Sequence, residues 1–191
     1  MNITGFNKIL FPLAGIGILL LSILSLLIGD IATDAMDVFN SVFNYSENNL
    51  SELVIREIRF PRVSIALIAG AALSIAGMLM QTLFQNPLAG PYVLGINSGA
   101  SLLVALGILS GFGFLSSEIG LIGSALLGAF IFGLFILFTA SFIRNQIGLL
   151  LFGVMLGSFV SAIITILELS SEAESLKAFA LWSMGSLNGV T

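Results

Sequence analysis

Three arginines, Arg56, Arg59 and Arg62, recur at three-residue spacing in the stretch VIREIRFPRVSIAL. They are half of the six basic residues in a chain of 191. Such a cluster binds anions, and three sources of negative charge stand open: lipid phosphate, the chain's own acids beginning with Glu57, and carboxylates on a partner protein. Exposed ion pairs contribute only about 0.2–1 kcal/mol. Pairs desolvated across an interface contribute about 1.5–7 kcal/mol, so an interface is where the cluster would matter most. Other chemistry is scarce. The chain has no Cys and no His, which removes thiolate and imidazole metal ligands and any Ser-His-Asp or Cys-His nucleophile. Its lysines, Lys8 and Lys177, lie outside any GxxxxGK[ST] phosphate loop. No catalytic residue, resident metal, cofactor or nucleic-acid partner is expected; passage or assembly is.

The elements that must position these residues follow from composition. The chain is 58% hydrophobic and 8% charged, with a mean hydropathy of +1.14, where soluble domains are about a quarter charged. It predicts an all-α, polytopic membrane protein forming a single membrane domain over 1–191, in contact with lipid. About 20 apolar residues cross the hydrocarbon as a helix, and five spans are expected, at roughly 9–28, 63–84, 98–115, 119–142 and 147–167. Residues 30–57 form a polar cap with an amphipathic piece, and 169–191 a polar bend with a short amphipathic segment around Ala178 to Met184, where Trp182 suits an interface. Counting Lys and Arg alone puts the cap on the cytoplasmic side, because its side of the membrane carries four of the six. A cluster dedicated to binding would corrupt that count.

The second span opens at Pro61, which fits a first helical turn, with Phe60 extended before it. Arg62 then lies in the first turn, opposing the helix dipole at a cost of roughly 0.3–1 kcal/mol. Ala66, Gly70, Ser74 and Gly77 form a small-residue stripe for helix packing, a role also assigned to Gly95 and Gly99. Asn86-Pro87-Leu88-Ala89 breaks the helix, Gly90-Pro91 delays a restart, and Asn97 or Ser98 caps the next span. Irregular, uncharged backbone at membrane depth is tolerated where it is buried in protein or lines a wet cavity, so this break reads as a plain loop or as a pathway element. The spans 119–142 and 147–167 carry no ionisable residue, whereas proton-coupled carriers place acids or histidines mid-membrane. Gly153, Gly157, Ser158 and Ser161 mark the fifth span as small and weakly polar; Gly153-x-x-x-Gly157 is also a weak helix-packing motif.

The ordered blocks RFPRVSIALIAGAALSIAGMLMQTLFQNPLAGPYVLGINSGAS (59–101), LLLFGVMLGSF (149–159) and LWSMGSLNG (181–189) resemble the FecCD family of permeases, which serve bacterial ABC importers of iron-siderophores, haem and cobalamin. The resemblance covers roughly Ile55 to the end. It implies a type II ABC importer permease bundle in the cell membrane, with the cap and the 169–191 segment extracellular and the N-terminus cytoplasmic. Residues matching Arg59 and Arg62, with Arg56 nearby, would dock an acidic substrate-binding protein. Asn86, Pro87, Leu88 and Ala89 would belong to the cytoplasmic gate, and Gly153, Gly157, Ser158 and Ser161 would line the pathway. A second permease subunit, identical or not, and two cytoplasmic ATPases holding ATP and magnesium are the implied partners. Two departures stand out. The turn before the fifth span reads Asn145-Gln146-Ile147, where relatives commonly carry small hydroxyl residues. Family members also have about twice as many spans, so the chain is expected to be an amino-terminal half leading to a missing sixth span. A fragment of an ion-coupled carrier and a structural subunit of a membrane complex are the alternatives.

Overall fold

The computed structural model describes residues 3–43, 45, 49–92, 94–111, 117–143, 145–187 and 189, with side chains from residue 9 on. Every regular element among them is helical: α1 (Ile3–Leu27), α2 (Ala35–Phe43), α3 (Leu50–Val54), a π-turn (Ile55–Arg59), α4 (Phe60–Phe84), α5 (Ile96–Leu109), α6 (Glu118–Ala140), α7 (Gln146–Leu169) and α8 (Ala173–Met184). Four runs are long and apolar enough to cross a membrane: Ile9–Leu27, Leu50–Phe84, Glu118–Ala140 and Gln146–Leu169. Their large side chains are mostly exposed on the isolated chain; Phe11, Leu21, Ile68, Leu137 and Phe159 are examples. Hydrocarbon, not water, suits that exterior. The chain divides into two compact units, residues 1–71 with 187–191 and residues 72–186, and the division falls inside α4.

In the first unit the expected extended residue before Pro61 is absent. Phe60 is helical, at φ −62° and ψ −47°, and α3, the π-turn and α4 form one run of 35 residues. An α-helical proline clashes with the carbonyl four residues back, here Glu57, and leaves it without a donor. One widened turn, in which the Phe60 N–H reaches back to the Ile55 carbonyl, accommodates the ring without ending the helix. The run starts at Asn49, whose Oδ1 accepts from the Ser51 N–H at 3.1 Å. Arg59 and Arg62 therefore sit well inside a helix, and the expected dipole penalty at its first turn does not arise. The amphipathic piece of the cap is α2, which leaves Met36, Phe39 and Phe43 exposed. Glu47 lies outside the described residues.

In the second unit α5 is the hub. Val104, Ala105, Ile108 and Leu109 of α5 and Phe179 of α8 form a buried core, flanked by Leu121 and Ala125 of α6 and by Ile164 and Leu167 of α7. Trp182 packs on this core, its ring stacked on Phe179 at 6.2 Å between centroids. At 14 residues, α5 is about 21 Å long, shorter than the expected span 98–115. It stops because Ser110 turns its hydroxyl back onto the Leu106 carbonyl and Gly111 takes φ +74°; the end of the expected span, 112–115, lies outside the described residues. Its start is also earlier than expected: Gly95, at φ +75°, is the N-cap, and Asn97 and Ser98 lie inside the first turn.

Candidate docking face and gate turn

The three arginines have three different surroundings, all within the first unit. Arg56 is exposed, and its guanidinium carbon lies 4.4 Å from the Tyr45 ring centroid, a cation–π pair. With Ser41, Val42, Glu57 and Phe60 it lines a cavity of about 360 Å³. Arg62 is half-buried and lines a second cavity, of about 390 Å³, together with Gly29, Asp30 and Arg59. Arg59 is buried, with 9% of its surface exposed. Its Nη1 donates to the Leu26 carbonyl at 2.7 Å and to Thr33 Oγ1 at 2.8 Å, and its Nη2 donates to the Ile31 carbonyl at 2.6 Å. The expectation of an outward-facing Arg59 thus meets a guanidinium engaged with its own chain. Residues three apart share a face in an α-helix; the π-turn over 55–59 shifts that register.

The Asn86-Pro87-Leu88-Ala89 break is a compact pair of turns in the second unit. The Asn86 N–H bonds to the Gln81 carbonyl at 3.2 Å and the Gln85 N–H to the Thr82 carbonyl at 3.4 Å, closing α4 as a Schellman motif. Gln85 holds the left-handed position, φ 47°, where glycine is usual. Asn86 Oδ1 then accepts from the Leu88 N–H at 2.9 Å, and the Ala89 N–H bonds to the Asn86 carbonyl at 3.1 Å, with Pro87 preset at the second turn position. Ala89 is buried in a cluster with Phe84, Leu94 and Ile136, while Leu88 projects outward, 87% exposed. A non-glycine residue in this conformation costs about 1–2 kcal/mol. Gln85→Gly is accordingly expected to raise stability by about 1 kcal/mol, read as a higher unfolding midpoint in detergent.

Gly153 and Gly157 face α5. A Cβ on Gly95 would lie 2.9 Å from the Gly153 carbonyl oxygen, and one on Gly157 would lie 3.2 Å from Ser98 Oγ. The motif thus seats one helix end on another within this chain. Gly99 likewise abuts Gly128 and Phe132 of α6. Gly70 and Gly77 differ: a Cβ at either meets nothing within 4 Å, and Ser74 between them is exposed. The stripe makes no close helix contact at those glycines, on the most exposed stretch of α4.

Ser158 and Ser161 are exposed. Ser158 Oγ donates to the Val154 carbonyl at 3.0 Å. Ser161 joins Asn97, Ser98, Ser101, Thr165 and Glu168 around a cavity of about 340 Å³. Sequence reasoning missed the α5 hydroxyls and Thr165. Their spacing, 98 and 101 on one helix and 161 and 165 on the other, places each pair on one face; only the packing of α5 on α7 brings the pairs together. In the turn before the fifth span, Asn145 Oδ1 accepts from the Ile147 N–H at 3.0 Å and caps α7. Arg144 lies outside the described residues.

A long-helix assembly with a π-turn at an arginine cluster and a proline-stopped turn at the end of α4 can be set beside known proteins. The chain belongs to the FecCD transport family, whose family model matches residues 17–191. It is 37% identical over 183 residues to the hemin transport system permease protein HmuU of Yersinia pestis, an alignment covering 92% of this chain and 54% of that protein. It is 40% identical over 140 residues to the vitamin B12 import system permease protein BtuC of Escherichia coli, covering 73% of this chain and 42% of that one. Among solved structures it superposes with a TM-score of 0.79, at 30% identity, on an inward-facing ABC transporter described as of the metal-chelate type, covering 97% of this chain and 55% of the other. The chain spans about half the length of the curated relatives it matches.

Proposed function

We propose that these helices belong to the permease of an ATP-driven importer that carries a metal chelate, an iron-siderophore, haem or a cobalamin, across the cell membrane. The observation that carries the reading is the 37% identity to a hemin permease over 92% of the chain. The pattern of charge supports it: α6 beyond Glu118 and α7 before Glu168 hold no ionisable residue for a proton or sodium site. ATP and magnesium then reside on two cytoplasmic ATPases. A second permease subunit and a soluble substrate-binding protein complete the machine.

In this reading the cap and the arginine cluster face outward, the N-terminus is cytoplasmic, and the exposed Arg56 with the half-buried Arg62 meets carboxylates on the docking protein. The turn at 86–89 acts at the inner gate, and its exposed Leu88 is the side chain that shuts against a neighbour. The cavity between α5 and α7 borders the route, offering a bulky cargo mostly hydroxyl and amide groups, with Glu168 as the one carboxylate in its described lining. The relatives are about twice as long as the stretch matched, so the transporting unit is a complete permease containing these helices. The test is uptake of haem, a ferric siderophore and cobalamin into proteoliposomes holding that permease with its ATPase and binding protein. At least one cargo should accumulate only with ATP and should be indifferent to proton and sodium ionophores. Uptake that collapses with the ion gradient while ATP is saturating would instead make this an ion-coupled carrier.

A further inference from the structure

We propose that Arg59 is a latch: it ties the end of α1 and the chain after it to the π-turn, and so holds the surface from which Arg56 projects. The inference rests on the docking face proposed above, and its geometry comes from the first unit alone. The last carbonyls of a helix have no partner inside it, and α1 carries no basic residue in its last turn. Arg59 supplies one from 33 residues beyond Leu26. A cation at this end of a helix is favoured by the dipole. Thr33 completes the arrangement: its hydroxyl donates to the Leu27 carbonyl at 2.9 Å while accepting from Arg59. The two side chains thus take up adjacent carbonyls, Leu26 and Leu27, where other helices use a left-handed glycine.

Three acceptors lying in different directions, two backbone carbonyls and a hydroxyl, suit a planar fork of donors and not a single ammonium. Gly29 makes the approach possible. A Cβ there would stand 2.6 Å from Arg59 Nη2 and 2.9 Å from its Cζ, so any larger residue pushes the guanidinium off its acceptors. The π-turn makes it necessary. By widening the helix before Pro61, it separates the environments of Arg56 and Arg59, leaving the first exposed over Tyr45 and the second buried.

The chain has no cysteine, so once any cysteine elsewhere in the complete permease is replaced by serine, a nitroxide on Ala32→Cys, an exposed position between two latch acceptors, reports on the loop alone. The parent, Arg59→Lys, Gly29→Ala and Arg56→Glu are compared in the complete permease. Docking of its acidic binding protein is measured across salt concentrations. Arg59→Lys and Gly29→Ala should both mobilise the label and weaken docking about tenfold, with the salt slope of the parent retained. Arg56→Glu should leave the label immobile and change the slope. Parental docking in Arg59→Lys, with an immobile label in Gly29→Ala, would overturn the latch and make Arg59 a point charge for the partner. Mobilised labels with docking unchanged in every variant, Arg56→Glu included, would leave the latch standing and remove the docking reading beneath it.

Discussion

Replacing Gly128 by alanine is expected to destabilise the second unit by about 1–3 kcal/mol, the range for overpacking a well-filled interior. A Cβ at this position would overlap the Gly99 carbonyl oxygen and lie 2.7 Å from the Gly99 carbonyl carbon and 2.9 Å from Ala100 Cα. These are backbone atoms and cannot rotate away, so α5 and α6 must separate. That separation opens the core of Val104, Ala105 and Ile108, in which side chains of α6, α7 and α8 also meet. Gly133→Ala provides the control on the same helix, because a Cβ there meets nothing within 4 Å. Helix propensity alone then favours alanine by about 0.8–1 kcal/mol. Unfolding titrations in mixed micelles should move the two variants in opposite directions. Shifts of the same sign and size would mean that α5 and α6 do not touch at this pair.

Reversing the charge of Arg56 carries the largest functional effect. On the proposed docking reading, binding of an acidic partner protein to a permease containing these helices is expected to weaken at least tenfold in Arg56→Glu, and further when Arg62→Glu is added. A desolvated charge pair contributes about 1.5–7 kcal/mol across an interface, and reversal replaces attraction with repulsion. The loss should be greatest at low salt, where screening is weakest. Lys177→Glu, an exposed cation on α8, should leave docking at the parental level. Affinity that is unchanged in Arg56→Glu and flat across salt would remove the docking face altogether, and lipid phosphate would remain as the anion for this cluster.

Much of the architecture is written in short-range chemistry. Apolar runs of about 20 residues predict spans, and four of the five expected lie in helices long enough to cross. Asn86-Pro87 signals the end of α4 because proline disfavours the helical region for the residue before it and offers no N–H. The order of the three motif blocks marks the family. Short-range chemistry misleads where a local rule has two outcomes. Pro61 is compatible with a helix start and with a π-turn inside a longer helix, and the local stretch does not distinguish them. The third span is shorter than its apolar run because Gly111 adopts a left-handed conformation that glycine permits but does not require.

Composition and periodicity determined by themselves that this chain is helical and suited to a bilayer, and that it offers no thiolate or imidazole, since those are properties of residue type and of near neighbours. Only the tertiary structure decided which arginine is exposed and which is buried, that Gly153 and Gly157 receive α5, and that Gly99 meets Gly128. Each depends on where a distant carbonyl or helix lies, as with Leu26 for Arg59. Contacts of that kind are set by packing, to which spacing along the chain is blind.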